Sequence, residues 1–350
     1  MCVQLERSDE TGIILSSPQR RKEDRVPEMY YWEAIQKALR QEMDRDPRVI
    51  LLGEDIGTYG GAFKVTRGML ADYGADRVID TPISEAAITG ICNGAAITGL
   101  RPVMEVMFMD FTTLCLDQLL NHAGKFRYMW GGKVNVPFVL RTPMGAGRGY
   151  GPTHSQSLES LLIKCPGIKV VAPATPSDAF GLLVSAIRDP NPVVFLEHKR
   201  LYGVKGNVQD SPETIPIGKA AVLREGSDVT LMSYSYMVRE CLAAAEILGG
   251  QGVSACVLDL RSLAPMDDEA ILNASAASGR VIFVEEGTRT GGVGAEVVSR
   301  VFESRFFDMQ CPPVRIALPD VPIPCSPPLE RALLPNAQAI VQAALKSVNS

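Results

Sequence analysis

The stretch Ile79–Leu100, IDTPISEAAITGICNGAAITGL, decides how the rest of the chain is read. It opens with a helix-entry signal. Thr81 is placed to cap, Pro82 suits the first helical position, and Ser84 and Glu85 fall in the first turn. Small residues then recur at every fourth place, at Ala86, Gly90 and Gly94. A glycine inside a helix costs about 1 kcal/mol relative to alanine. A helix that accepts two of them implies close approach of another backbone, so the spacing predicts a buried helix with one carboxylate, Glu85, at its mouth. An unpaired buried carboxylate is costly, and burial raises its proton affinity. A glutamate in a first turn also favours the helix dipole with no chemistry attached. The stretch alone leaves both readings open.

The chain has 350 residues, a length that suggests two or three domains. Hydrophobic residues make up 46% and charged residues 21%, as in soluble globular proteins with a sizeable core. The net charge of -5 gives no basic surplus for nucleic acid. Eight cysteines are scattered without a CxxC pair, and with only three histidines zinc-type spacing is absent. Thiols in this pattern fit a reducing compartment. No segment reaches the roughly 18 uninterrupted apolar residues of a membrane span. Residues 1–27 mix Arg20, Arg21, Lys22 and Arg25 with Glu6, Asp9 and Glu10, which argues against a transit peptide, and GIIL is too short for a signal peptide. The expectation is a disordered tail and a cytoplasmic protein.

Working outward from the central stretch, strand and helix patterns alternate between residues 28 and 204. Trp32, Ile35, Ala38, Leu39 and Met43 fall at helical spacing, and RVILLG (48–53) reads as a buried strand. Further strands are expected at 77–80, 103–106, 137–141, 169–172 and 192–196, and further helices at 114–123, 157–165 and 177–188. This alternation implies an α/β domain with a mostly parallel sheet covered by helices on both faces. Residues 205–220 are polar and contain Pro212 and Pro216, as a linker would. From 221 to 350 the alternation restarts in a second, smaller α/β domain that ends in a proline-rich stretch and a final helix.

With three histidines, acid–base candidates are few. His122 lies in a helical pattern and His198 follows a strand, and both read as structural. His154, in GPTHSQS, follows the Gly-rich loop GAGRGYG (145–151), a place where function concentrates. The competing reading makes Ser155 or Ser157 merely the cap of the next helix. The loops GTYGGAFK and GAGRGYG invite a phosphate reading, yet neither has the spacing GxxxxGK[ST].

Several long motifs now occur in order: LLGEDIGTYGGAFKVTRG (51–68), DTPISEAAITG (80–90), GAAITGLRPVMEVMFMDF (94–111), DQLLNHAGKFRYMWGGK (117–133), VPFVLRTPMGAG (136–147), THSQSLE (153–159), PGIKVVAPATP (166–176), AIRDPNPVVFLEH (186–198) and VEEGTRTGGVGAE (284–296). Through them the chain resembles the beta subunit of the thiamine-diphosphate-dependent first component of 2-oxo acid dehydrogenase complexes, of the pyruvate or acetoin type. The resemblance covers nearly everything after residue 28. It implies a pyrimidine-binding domain, with a parallel sheet and helices on both faces, followed by a transketolase C-terminal α/β domain.

By this resemblance Glu85 is the carboxyl that hydrogen-bonds the N1′ nitrogen of the cofactor's aminopyrimidine, where a carboxyl with raised proton affinity can hold a proton. Phe111 matches the aromatic packed against that ring, although a plain core phenylalanine accounts for it equally. His154 matches the histidine that lines the channel and assists acyl transfer to a lipoyl group. Phe138, Ala186, Ile187, Asp189 and Asn191 match a potassium site built largely of main-chain carbonyls, as a hard cation requires. Pro190 replaces the more usual asparagine there, and Thr153 stands where glutamine or glutamate often precedes HSQ. A complete thiamine site also needs a GDG motif with a downstream asparagine for magnesium and diphosphate, and no GDG occurs in the chain. The resemblance therefore implies half of each active site, the other half and most of the magnesium binding coming from an alpha subunit in a heterotetramer of two alpha and two beta chains. The helix Ala86–Gly99 and the strand after it are candidates for that interface.

The activity implied is oxidative decarboxylation of pyruvate, a small 2-oxo acid, with acetyl transfer to the lipoyl domain of an acyltransferase component. Acetoin cleavage is the nearest alternative, because FMDF (108–111) and GGKVNVP (131–137) look like acetoin-type chains as well. A branched-chain 2-oxo acid and a non-catalytic scaffold subunit are the others. No nucleic acid or membrane partner is expected.

Overall fold

The computed structural model describes residues 26–209 and 214–350. The tail expected over 1–27 lies, as far as residue 25, outside the described residues, as do residues 210–213 of the expected linker.

The first part of the chain runs β1 (Glu28–Tyr30), α1 (Tyr31–Arg45), β2 (Val49–Gly53), α2 (Met69–Tyr73), β3 (Val78–Asp80), α3 (Glu85–Ile97), β4 (Arg101–Glu105), α4 (Gly124–Met129), β5 (Val139–Met144), α5 (Glu159–Ile163), β6 (Lys169–Val171), α6 (Pro176–Arg188), β7 (Val193–His198) and β8 (Lys205–Asn207). The second part contains β9 (Ala221–Arg224), β10 (Val229–Ser233), α7 (Met237–Gly249), β11 (Ala255–Asp259), β12 (Ser262–Ala264), α8 (Asp268–Ser278), β13 (Val281–Thr288), α9 (Val293–Arg305), β14 (Val314–Leu318), α10 (Pro327–Leu333) and α11 (Ala337–Val348).

The larger sheet has seven strands in the order β12-β6-β7-β5-β4-β2-β3, and the smaller has five in the order β14-β13-β10-β11-β9. In the larger sheet every pairing is parallel except β12 against β6. The central strands are apolar runs with no alternation, as burial on both faces requires: VILLG of β2 and VVFLEH of β7 are buried throughout. Helix α1 buries Ile35, Ala38, Leu39 and Met43 of the face expected from its spacing, with Tyr31 fully buried and Trp32 only half-buried. Glu33 in its first turn accepts from the Tyr30 amide at 2.7 Å, which satisfies one of the donors left over at a helix start. Strand β12 belongs by sequence to the second part yet pairs with β6 of the first, Ser262 opposite Val171. The apolar cluster beneath it is continuous, joining Met144, Val170 and Leu196 to Tyr234, Leu263 and Phe283.

Four local expectations are corrected. Helix α3 starts at Glu85 with Ser84 in the cap position, rather than at Pro82 behind a Thr81 cap. The Thr81 amide still donates to the Gly53 carbonyl at 3.0 Å, so the backbone is held beside β2 when it passes Pro82. Nor is α3 buried all round. Its inward face is Glu85, Ile88, Thr89, Cys92, Asn93 and Ala96, while Ala86, Gly90 and Gly94 face outward. A Cβ added to Gly94 would meet nothing within 4 Å, so no backbone of the described residues approaches there.

The single helix expected over 114–123 is instead a 3-10 turn at Met109–Cys115 followed by a π turn at Gln118–Ala123. Asn93 Nδ2 donates to the Gln118 carbonyl at 2.8 Å, which supplies a partner for backbone in the wider turn. The helix expected over 157–165 shortens to α5, with Leu158 rather than a serine in the cap position. The Ser155 and Ser157 hydroxyls are buried without hydrogen-bond partners, so the capping account of GPTHSQS does not hold.

Candidate active site

Parallel sheets place ligand-facing loops at the carboxyl ends of their strands, and this one follows the rule. Glu54 follows β2, Phe108 and Phe111 follow β4, the Gly-rich loop follows β5, and Lys199 follows β7. Glu85 comes to the same edge from the loop after β3.

Glu85 is 7% exposed. Its backbone carbonyl accepts from Thr89 Oγ1 at 2.6 Å. The Cys115 thiol lies 3.8 Å from that carbonyl and 4.0 Å from the carbonyl of Phe111, so the start of α3 and the turn carrying Phe111 meet at one sulfur. None of the hydrogen bonds among the described residues reaches the Glu85 carboxylate. An acceptor without a partner among the described residues, on a side chain mostly out of water, is one that a ligand can satisfy. Glu54, which the sequence reading missed, stands beside it: burial first, and then the negative charge of Glu85, raise its carboxyl above the usual range. The available signal was an acid directly after a fully buried strand.

Phe111 is half-buried, and its ring meets the His154 ring edge-on at 5.3 Å between centroids. Phe108, also missed, meets the same imidazole at 4.9 Å and the Tyr150 ring at 6.0 Å. His154 thus stands in an aromatic wall with its Nδ1 3.0 Å from Thr153 Oγ1. Below it lies Lys199, fully buried, whose ammonium donates to the His154 carbonyl. Burial lowers the Lys199 pKa to about 8, although Asp110 and Glu286 oppose the shift. Asp110 accepts from both the backbone amide and the side chain of Gln156, at 3.2 and 2.8 Å. The structure brings Glu85, Phe111 and His154 to one edge of the sheet, with Glu54, Phe108 and Lys199 around them.

The phosphate reading of GAGRGYG is overturned. Its amides are already occupied by carboxylates of the second part of the chain. Ala146 donates to Glu286, Gly147 to Glu330 at 2.8 Å, and Gly149 to Glu330 at 3.0 Å. Burial alone would raise the Glu286 carboxyl; the neighbouring His198 and the amide of Ala146 outweigh it and hold it below the ordinary range. GTYGGAFK is tied to the end of β3 and to itself, Gly57 donating to Asp80 at 2.6 Å and Lys64 Nζ to the Tyr59 carbonyl at 2.9 Å. His198 is buried against Glu286 at 3.1 Å, and His122 packs on Phe126 at 5.6 Å.

Phe138, Ala186, Ile187, Asp189 and Asn191 lie away from this edge. Segment 136–138 runs against 190–193, with Val136 donating to Pro190 at 2.9 Å and Val193 to Phe138 at 2.9 Å. The Ala186 carbonyl accepts from the Asp189 amide at 3.3 Å. Arg101 Nη1 donates to the Ile187 carbonyl at 2.7 Å and to that of Asp189 at 3.4 Å. The Asp189 carboxylate is held by Lys169 at 2.5 Å and by Asn191. Among the described residues no cluster of three or more His, Cys, Asp or Glu side chains could hold a metal ion, and no helix is long and apolar enough to cross a membrane.

The sequence matches the profile of the transketolase pyrimidine-binding domain over residues 27–205 and that of the transketolase C-terminal domain over 218–340. Among solved structures it is similar to a split-gene transketolase, described as an inactive beta4 tetramer, with a TM-score of 0.76 at 23% identity, covering 92% of this chain and 98% of that one. Among characterised sequences it is 47% identical over 325 residues to the pyruvate dehydrogenase E1 component subunit beta-1 of Oryza sativa, covering 91% of this chain and 87% of that one. It is 43% identical to the 2-oxoisovalerate dehydrogenase subunit beta of Bacillus subtilis, covering 91% and 98%. It is 42% identical to the acetoin:2,6-dichlorophenolindophenol oxidoreductase subunit beta of Cupriavidus necator, covering 90% and 96%. The chain belongs to this family of transketolase-like dehydrogenase beta subunits.

Proposed function

We propose that the chain is the beta subunit of a thiamine-diphosphate-dependent dehydrogenase that decarboxylates pyruvate oxidatively and passes the acetyl group to the lipoyl domain of an acyltransferase component. The observation that carries this reading is Glu85: a buried residue whose carboxylate has no hydrogen-bond partner among the described residues, on the same sheet edge as Phe111 and His154. These residues fit the aminopyrimidine end of the cofactor. Glu85 offers a carboxyl to a ring nitrogen, and Phe111 offers an apolar face to the ring. When bound, the cofactor supplies the electron sink that cleavage next to a 2-oxo group requires.

Glu85 holds and returns a proton at the ring nitrogen, and the half-buried carboxyl of Glu54 beside it is raised by burial and by the charge of Glu85. Phe108 and Phe111 hold the His154 ring edge-on, and His154, half-buried, is left to serve the acyl group during transfer. An alpha subunit completes each site and holds most of the magnesium, in an assembly of two alpha and two beta chains. The carbonyls of Phe138, Ala186, Ile187, Asp189 and Asn191 form the proposed potassium site. A carbonyl oxygen has a second lone pair for such an ion, which shares the place with Arg101.

The relatives named above differ in substrate while their identities to this chain span only 42% to 47%, so the test is a substrate panel. The chain purified with its alpha partner is assayed by dye reduction with pyruvate, acetoin and 3-methyl-2-oxobutanoate, with and without thiamine diphosphate and magnesium. Cofactor-dependent reduction with pyruvate is expected. Reduction with acetoin alone, or with the branched acid alone, replaces pyruvate in the proposal. Failure of all three in a cofactor-loaded complex favours a scaffold subunit.

A further inference from the structure

The Gly-rich loop looks like a phosphate cradle and is filled by the protein's own carboxylate. Glu330 sits in α10, a short helix opened by Pro327 and Pro328. Its neighbour Leu329 is 60% exposed, whereas Glu330 is 2% exposed and turned across the boundary between the two parts of the chain. Both of its oxygens are used, Oε1 accepting from Gly147 and Oε2 from Gly149. Charge-assisted bonds of this kind are about twice as strong as neutral ones, and backbone amides of a turn aimed at one carboxylate form the kind of concavity that binds an anion.

The loop needs such a fastening. Gly147 has φ +90 and Gly149 φ +70, a region that glycine visits freely but is not confined to. The segment leading into α10 is packed against the same turns: a Cβ on Gly151 would fall 2.4 Å from Cys325 Sγ, and one on Gly149 would fall 3.3 Å from the Cys325 carbonyl. From Gly151 the order passes to His154, whose amide lies 3.4 Å from the Gly151 carbonyl. Lys199 grips the His154 carbonyl from the other side, and Arg148 Nη2 donates to the Lys199 carbonyl at 2.8 Å.

We propose that Glu330 is a positioning residue of the active site: by filling the amides of Gly147 and Gly149 it fixes the loop that delivers His154, so the second domain sets the geometry of acyl transfer without touching the substrate. The acyl-transfer part rests on the role proposed above for His154. The fastening of the loop does not.

Hydrogen exchange and kinetics on the alpha–beta complex test the two parts separately. In the unaltered complex the amides of Gly147 and Gly149 are expected to be protected from exchange; free exchange there overturns the proposal without any variant being needed. In Glu330→Gln, one acceptor is replaced by a donor facing an amide. Exchange over 145–153 is expected to rise at least about tenfold, with exchange over α3 unchanged. Transfer to a purified lipoylated domain is expected to fall at least about tenfold, and dye-coupled decarboxylation by less than about threefold, since misplacement by 1 Å can cost a hundredfold. Glu330→Asp, which keeps both acceptors on a shorter arm, is expected to lie between. Unchanged exchange in Glu330→Gln, or a parallel fall of decarboxylation and transfer that follows the amount of folded complex, overturns the proposal. Faster exchange with no loss of transfer would keep the fastening and overturn the positioning role of Glu330.

Discussion

At the scale of single residues, the site depends on how many carboxyls this fold keeps out of water. Glu285, on β13, is pushed up to about 7 by burial and then by the negative charge of Glu159, against the amides of Gly294 and Val293 and the charge of Arg315. A carboxyl whose folded pKa is raised contributes stability that is complete below its unfolded pKa and lost as pH rises through the folded one. Between about pH 4.5 and 7 the wild-type chain therefore loses stability from this group, of order 3 kcal/mol. Glu285→Gln keeps an oxygen for the Gly294 amide, 3.0 Å away in the parent, and removes the titration. Chemical denaturation at pH 5 and pH 8 should show a smaller drop for the variant than for the wild type; equal drops would contradict this account of Glu285. Glu85 and His154 were legible at this scale, because an acid in a helix's first turn and a histidine after a glycine loop are local signals. Glu54, Phe108, Lys199 and Glu330 were not, because each reaches the site from a different strand or helix, and only the packed sheet brings them together.

At the scale of elements, α3 shows what periodicity tells and what it leaves out. The fourfold spacing of Ala86, Gly90 and Gly94 marks one face, which in this chain is the outward one, with Ile88, Cys92 and Ala96 inward. It cannot say what covers that outward face. The small residues lie outward, beside Ile91 at 59% exposure, so the helix offers an apolar stripe that the described residues leave bare. The proposed alpha–beta assembly supplies a cover for it. Ile91→Arg is expected to leave circular dichroism and thermal unfolding of the isolated chain nearly unchanged, since exposed substitutions shift stability by roughly half a kcal/mol at most. Co-purification with the alpha subunit is expected to weaken at least about tenfold, because a charge placed in a desolvated contact is costly. Undiminished association would remove α3 from the interface. The helix start was misplaced for a related reason: Thr81 and Pro82 have the chemistry of a helix entry, yet the bond from Thr81 to Gly53 keeps them beside the strand.

At the scale of the whole molecule, the two parts of the chain are joined more closely than a linker implies. Strand β12 completes the larger sheet, one apolar cluster runs beneath both parts, and Glu286 and Glu330 occupy the amides of the loop after β5. The alternation of strands and helices made two α/β units legible, whereas the crossing of β12 has no sequence signal, being three residues long and fixed only by its pairing with β6. On this account the larger sheet holds the aminopyrimidine end of the cofactor, the second domain braces the transfer loop, and proton transfer passes through one carboxyl. The most direct test is the exchange of the thiazolium C2 proton of thiamine diphosphate, followed by quenched-flow NMR in the assembled alpha–beta complex. With Glu85→Gln, exchange is predicted to slow at least about a hundredfold while cofactor binding and assembly persist. An unchanged exchange rate in a fully loaded complex would contradict the role given to Glu85.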